Sequence, residues 1–560
     1  MCGFDEGIPC GIRRRSRKPP PFHQDTWLLK RCALRKMTSP IQGQGVTDES
    51  MALPVATPRA EPDQATGELA PCVPHASAEE ELSQFPSGAA LAAAKEAHSS
   101  LSLYSGNYNV AIFAALTTGA TVGIVLRGLS TKPWPARHVM YLAFPGELLR
   151  RMLREAALPL CASSVIAATG SMQRPLSLRV ACFSLFYAVV VKLASQGNAV
   201  LTTLAVQPGR VFEAGELQRL LDAVPPHARL YEHPWNGTAT DVLYDIARTL
   251  LPDNIVETFL YTDIDELVPF PNKTGVHVAP SSRLVAHQAS LLLFCAMLGV
   301  VLSTHGGSGT LLGFFIGLSN AMMFLAHFIL LYAPFGLFFA TAAFVVQTRN
   351  LQPLASHLAL YLFTVGLSLV VHALVVLPFV LATATGRSFR GLLQNAATPL
   401  AVAFGAASSS ETVPPAIAAL EESLNLDTRI VRLLVPIAAV LNTDGTSIYI
   451  TISALFFAQT KTDYVDLRTV LLVCALSVLC SMAAPTTGGP SYLRVRLIHE
   501  AVGMPTDTIG ILFITDWIVS RLATVVDVLT GLVSVYVVQH YCGLEEQPTM
   551  EDANRDIPPE

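Results

Sequence analysis

The chain has 560 residues, of which 51% are hydrophobic and only 14% are Asp, Glu, Lys or Arg, against about 25% charged residues in an ordinary soluble domain. With a mean hydropathy of +0.45, a soluble fold could not cover its own surface, and a bilayer is the expected solvent. A formal net charge of -5 excludes the basic footprint of a nucleic-acid binder. Cysteines scattered from Cys2 to Cys542 without a CxxC pair exclude zinc, iron–sulfur and disulfide-scaffold organisation.

Residues 1–104 read as a disordered cytosolic tail. Arg13, Arg14, Arg15, Arg17 and Lys18 precede Pro19, Pro20 and Pro21, with no apolar stretch close enough behind them for a signal peptide. The following Ala/Pro/Ser/Glu-rich stretch cannot bury enough apolar surface to order itself. The other reading of the basic run is contact with anionic lipid or a partner.

From residue 105 long apolar runs recur, most exceeding the roughly 18–20 residues a helix needs to cross hydrocarbon. They predict helices 1–3 over 105–206, a polar extracellular insert with the start of helix 4 over 207–283, and helices 4 and 5 over 284–347. Helix 6 follows over 352–386, a first hairpin and helix 7 over 388–460, a second hairpin and helix 8 over 463–540, and a cytosolic tail over 541–560. The runs lack the period-2 alternation of barrel strands, so the fold class is an all-α polytopic membrane protein of eight transmembrane helices.

Two segments are not simple spans. The apolar stretch 391–405 is cut by Ala406-Ala407-Ser408-Ser409-Ser410-Glu411, and the stretch 470–484 by Pro485-Thr486-Thr487-Gly488-Gly489-Pro490. Each half is about 15 residues, or roughly 23 Å, short for a crossing. They read as two re-entrant hairpins of the kind that mark the binding site of secondary transporters; the alternative is a pair of kinked helices. The insert carries Asn236-Gly237-Thr238 and Asn272-Lys273-Thr274, two glycosylation sequons that put the loop outside and both tails inside.

Polar residues at membrane depth are expensive and mark a bundle interior or a cavity. Asn442-Thr443-Asp444-Gly445-Thr446 interrupts an apolar helix, and local unwinding there would free oxygens for a hard, alkali-type cation; the alternative is a polar contact between helices. In the last span Asp516, Ser520, Ala523, Thr524, Asp527 and Gly531 fall on one stripe, the wall of a solute site facing the hairpin tips. Arg521 lies about a quarter-turn away and reads as an interior pair or a snorkelling head. Lys192, midway along 180–206, needs a carboxylate or carbonyl partner if buried. Glu411, on the first tip, is either solvated or a proton carrier.

These residues resemble the dicarboxylate/amino acid:cation symporter family, which includes the excitatory amino acid (glutamate) transporters. The likeness runs from about 105 to 545. It is carried by Phe144-Pro-Gly-Glu-Leu-Leu-Arg-Arg-Met-Leu153, Leu158-Pro-Leu160, Tyr332-Ala-Pro-Phe-Gly336 and Ala403-Phe-Gly405 leading into Ser408–Ser410. Pro436 through Asn442-Thr-Asp-Gly-Thr446, Gly503-Met-Pro-Thr-Asp507 and Asp516-Trp517 continue it in order. The resemblance implies a homotrimer and an elevator mechanism; the sequons point to the secretory route, with the plasma membrane as the default location and an internal compartment fitting equally well. Its static scaffold would be the spans near 109–126, 142–170, 284–303 and 311–347. Its mobile transport domain would be the spans near 180–206 and 354–385, both hairpins, and the spans near 433–459 and 511–538, with the second hairpin as gate. It implies solute contacts from Ser408, Ser409, Ser410, Thr446, Thr487, Gly488, Asp516, Ser520, Ala523, Thr524 and Asp527, and a cation site built from Asn442 and Asp444, for which Asp527, one helical turn before Gly531, is a candidate replacement of the acid lost there. Family members also leak anions at the domain interface.

Departures from the family pattern redirect the function. Where the family has an Asp for the substrate amino group, this chain has Ser520; where acid-selective members have an Arg, it has Ala523; where an Asn meets the α-carboxylate, it has Asp527; and a sodium-ligating Asp is Gly531. Without a guanidinium at 523 a second carboxylate lacks a bidentate partner, so acidic amino acids are not the expected solutes. Asp527 would repel a solute carboxylate unless a cation or proton lies between them. A Tyr and a Thr/Ser pair that build one sodium site fall on Ala188, Val191 and Lys192, so the Lys192 ammonium is expected to replace a bound sodium ion and pair with Asp444. The expected function is a cation-coupled symporter of a small organic solute, an amino acid or carboxylate, coupled to sodium or protons and using no further cofactor. The competing readings are an uncoupled facilitator or anion conductor, and a sensor that keeps only the fold. With no P-loop and no nucleophile elbow, an enzyme is not expected.

Overall fold

The computed structural model describes residues 106–129, 134–172, 174–212, 262–269, 276–283, 288–305, 309–347, 358–424, 426–461, 465–483, 492–504 and 509–543, with residue 244. Residues 1–104, Asn236, Asn272, Thr487 and Gly488 lie outside them.

Helix α1 (Gly106–Leu129) packs on α6 (Ala333–Gln347) along Gly119 and Gly123. A Cβ at Gly119 would come within 2.5 Å of the Phe338 carbonyl oxygen, and one at Gly123 within 2.8 Å of the Ala342 carbonyl oxygen. Glycine four residues apart is what lets these two backbones touch, as small-residue faces do between membrane helices. Helix α2 (Ala136–Ser171) runs 36 residues with Pro145 and Pro159 inside it, and α3 (Arg174–Val206) follows.

The insert holds an antiparallel ribbon, β1 (Thr262–Pro269) with β2 (Val276–Arg283), in register from Thr262 opposite Arg283 to Pro269 opposite Val276. Among the described residues this ribbon is one small sheet in an otherwise helical chain, and the next described helix follows it. That helix, α4 (Gln288–Leu302), starts after the ribbon and has 15 residues, below the crossing length.

The run 311–347 is two helices, α5 (Gly309–Leu331) and α6. The break falls at Tyr332 because Pro334 has no N–H to give and its ring crowds the preceding turn. The sixth apolar run comprises α7 (Ala359–Val371), a π-helical turn at His372–Val376, and α8 (Leu377–Thr385); the turn absorbs the bond that Pro378 cannot make.

The first interrupted segment is α9 (Phe389–Asn395) and α10 (Ala397–Ala406), then a tip, then α11 (Val413–Ala418) and a π-helical turn at Ala419–Ser423. The chain reverses at Ala407, which takes left-handed φ of 53° without being glycine, a strained conformation of the sort kept at functional sites. The seventh run is split into α12 (Thr428–Leu441) and α13 (Asp444–Lys461). The second interrupted segment has α14 (Leu467–Ala483) and α15 (Tyr492–Val502) as its arms, and α16 (Phe513–Cys542) closes the described chain.

Seven helical stretches among the described residues are long and apolar enough to cross a membrane, and this is a polytopic membrane protein. Large apolar side chains such as Phe186, Leu193 and Phe379 point outward, a liability in water and the ordinary arrangement in lipid. Inside, α16 joins two apolar clusters, one with α2, α3, α4 and α12, the other with α7, α13, α14 and α15. A third unites α1, α2, α5, α6 and α10. The last helix is therefore walled by the first interrupted segment and by both halves of the broken helix, with the arms of the second interrupted segment in the same apolar cluster.

Candidate solute and cation site

The site begins at the α12–α13 break. Asn442 ends α12, its N–H donating to the Ala438 carbonyl at 2.8 Å, and Asp444 opens α13. A carboxylate suits a helix N-terminus, where unpaired N–H groups point outward. Gly445 is required here, because a Cβ would strike the Ala523 carbonyl of α16.

Lys192 on α3 reaches this break. Its Nζ lies 3.5 Å from Asp444 Oδ1, 3.3 Å from Thr443 Oγ1 and 3.4 Å from Ser481 Oγ of α14. Lys192 is 3% exposed and Asp444 1%, so each charge depends on the other. Thr443 ties the same group to the second interrupted segment by donating to the Ser481 carbonyl at 3.1 Å. One turn on, Gln196 donates to Ser447 and accepts from Thr451 at 2.7 Å. His372, on the π-helical turn, interacts electrostatically with Asp444 and Lys192 and has no hydrogen-bond partner on either ring nitrogen among the described residues.

The α16 stripe faces α13. Asp527 accepts from the Thr446 N–H at 3.0 Å and from its hydroxyl at 2.6 Å. Asp516 accepts from the Tyr449 hydroxyl at 2.9 Å. Thr524 spends its hydroxyl on the Ser520 carbonyl, and Ala523 is buried. At the first tip, Ser408 and Ser410 share a 3.0 Å hydrogen bond, while Ser409 donates to the Ala439 carbonyl of α12 at 3.0 Å. Between tip, α12 and α16 lies a cavity of about 20 Å³, lined by Ser409, Thr412, Ala438, Asp527 and Gly531 among others, room for one water or a small ion.

Glu411 is not solvated. It is fully buried, and its Oε1 accepts from Arg154 Nε at 3.1 Å and Nη2 at 2.9 Å, with Arg150 at 4.0 Å. The forked guanidinium makes burial of the carboxylate tolerable. It faces α2, whereas Asp444, Thr446, Asp516 and Asp527 gather at α13 and α16. Arg521 resolves as an interior anchor: Nη1 donates to the Phe404 and Gly405 carbonyls at 2.8 and 2.7 Å, and its guanidinium lies over Phe344.

Sequence reading passed over Ser481, Gln196, Tyr449, His372 and Arg494. For His372 and Arg494 a signal was present, an ionisable side chain inside an apolar segment. Arg494 opens α15 and interacts electrostatically with Asp516, Cys480, Asp527 and Tyr449.

The profile of the sodium:dicarboxylate symporter family matches residues 109–541. The chain belongs to this family. Among its relatives is the human neutral amino acid transporter A, 30% identical over 438 residues, 76% of this chain and 80% of the relative. The neutral amino acid transporter B(0) of Oryctolagus cuniculus is 29% identical over 459 residues, 79% and 82% of the two chains. An excitatory amino acid transporter of Caenorhabditis elegans is 27% identical over 451 residues, 76% and 86%. Membership of the sodium:dicarboxylate symporter family makes the protein a transporter and not an enzyme.

Proposed function

We propose that the protein is a cation-coupled secondary transporter of a small amino acid or carboxylate, working by an elevator movement with fewer bound sodium ions than its relatives' architecture would hold. The observation that carries this is the Lys192 ammonium 3.5 Å from Asp444 at the helix break. A fixed positive charge there does the electrostatic work of a bound alkali cation, and Gly531 supplies no carboxylate to a second ion. Ser408–Ser410, Thr446, Asp516 and Asp527 wall the solute site, with Thr487 and Gly488 assigned to its gate. Ala523 leaves α16 without a guanidinium, which argues against glutamate and aspartate bound in the manner of acid-selective members. Glu411, held by Arg154, acts in this reading as an anchor of the hairpin and not as the proton carrier.

The same reading takes the interrupted segments as re-entrant hairpins, the assembly as a homotrimer, the tails as cytosolic, the insert as glycosylated at Asn236 and Asn272, and the plasma membrane as its location. A proton-coupled version is favoured by one observation, the buried His372 beside Lys192 and Asp444 with both nitrogens unpartnered. Reconstituted protein would be assayed for uptake of amino acids and carboxylates under imposed sodium or proton gradients, with stoichiometry measured in wild type and Lys192→Ser. Accumulation against a gradient supports coupling, and equilibration alone supports a facilitator. A wild type that binds as many sodium ions as its relatives, together with a mutant that gains no sodium dependence, would overturn the role given to Lys192.

A further inference from the structure

Helix α5 carries one histidine in an otherwise apolar stretch, and that histidine is turned inward. His327 is 6% exposed and meets the π-helical turn at Ala419–Ser423, the base of the first interrupted segment. Its Nδ1 lies 2.7 Å from the Met323 carbonyl oxygen and its Nε2 lies 2.6 Å from Glu422 Oε1. A carbonyl has no proton to give, so Nδ1 is the donor there. Nε2 then either donates to a carboxylate or accepts from a carboxylic acid. On both assignments the pair holds one proton more than a neutral imidazole beside a carboxylate. Without that proton, lone pairs would face each other across the 2.6 Å contact.

The charges around the contact ask for the same proton. Glu421, next in the chain, is forked by Arg432 of α12, with Nε at 2.8 Å and Nη2 at 3.2 Å. Glu422, Glu421 and Arg432 are only 17%, 15% and 17% exposed. Two acids and one guanidinium leave a net negative charge in a poorly hydrated place, and the extra proton cancels it. Among the described residues no other element supplies a cation. Helices α4, α6 and α11, which pack on α5, contain no Asp, Glu, Lys, Arg or His. On α2, Arg150 and Arg154 serve Glu411, Arg151 serves Glu147, and Arg137, His138 and Glu155 are exposed. The buried thiols of Cys161 on α2 and Cys295 on α4 cannot carry positive charge.

We propose that His327 and Glu422 form a proton-operated latch between α5 and the base of the first interrupted segment: the shared proton closes it, and loss of that proton opens it. The latch does not depend on the transporter reading. Within that reading it joins a static helix to a mobile one and is closed at the lower pH.

Stability carried by a shared proton is present at the acid end and lost as pH rises, and histidine is the side chain suited to titrate near neutrality. The test melts purified full-length protein at about pH 6 and about pH 9, as wild type, His327→Gln and Glu422→Gln. An amide at either position can hydrogen-bond across the contact without the extra proton, and the remaining histidines are common to all three proteins. From the lower to the higher pH, wild type is expected to lose about 2 °C or more of Tm beyond what either variant loses. Hydrogen exchange over residues 419–423, corrected for the intrinsic rate at each pH, should quicken about threefold to tenfold in wild type and stay level in the variants. If one variant does not fold, the other carries the comparison. A Tm that changes with pH equally, within about 1 °C, in wild type and the folded variant overturns the latch. So does wild-type exchange at 419–423 that does not quicken with pH.

Discussion

Lys192 and Asp444 form a buried pair in which neither partner has an alternative counter-charge within ion-pair distance among the described residues. Replacing Lys192 by Ser leaves Asp444 uncompensated, a change that costs about 3–5 kcal/mol for buried pairs. A sodium ion can restore the balance, so Lys192→Ser should be destabilised in choline buffer and recover in sodium, while wild type responds little. A thermal melt in the two buffers reads this directly, because a ligand that binds only the native state raises Tm. Gly531 gives the reverse test. A Cβ there would meet the Ala438 Cβ at 3.4 Å, ordinary contact, so Gly531→Asp fits and places a second carboxylate on the small cavity beside Asp527. Gly531→Asp is expected to acquire a sodium-dependent Tm, and a melt unchanged by sodium would show that this cavity does not take the ion. Lys192 was legible in the sequence because a lysine in the middle of an apolar run has few explanations. His327 was not, since a lone histidine in an apolar run means little until its partner, Glu422, is known.

At the scale of the element, the first interrupted segment is held at three points. Arg154 grips Glu411 at the tip, Arg521 binds the carbonyls that end α10, and at the base His327 of α5 meets Glu422 at 2.6 Å. Arg432 of α12 completes the base, bonded to Glu421 at 2.8 Å and reaching Asn320 of α5. The tip at Ser408–Ser410 could be read from polar residues in an apolar run, whereas the break at Tyr332 was passed over although Pro334 marks it. The clamps could not, because Arg154 and Glu411 are 257 residues apart and only packing pairs them. If the hairpin travels while α2 stays fixed, the Arg154–Glu411 contact has to break in each cycle. Glu411→Gln keeps the shape and removes the charge, so it should lower Tm and raise turnover. The double variant with Arg154→Gln should be less destabilised than the sum of the single ones, as expected for coupled groups. Additive melts, or slower uptake in Glu411→Gln, would count against the first interrupted segment being held by this ion pair.

At the scale of the molecule, the composition that first indicated a membrane protein has a structural counterpart. Charges at depth are gathered around α13, against which α3, α15 and α16 each pack, and apolar side chains cover the outward faces. On α5 the outward stripe is unusually aromatic. Phe324, Phe328 and Leu331 are 55%, 53% and 50% exposed, and spacings of four and three place them on one face. Lipid tails would accept such a face, yet aromatic side chains are also what packed interfaces select. The trimer expected from the family resemblance needs a surface on a helix that does not move, and α5 belongs to the scaffold in that reading. Phe324→Ser with Phe328→Ser removes the bulk of the stripe and leaves Lys192 and Asp444 in place. The purified double variant should lose mass from three copies toward one by light scattering in detergent, while melting near the wild-type temperature. A trimer that persists with unchanged mass would place the contact on another face and leave this stripe to lipid.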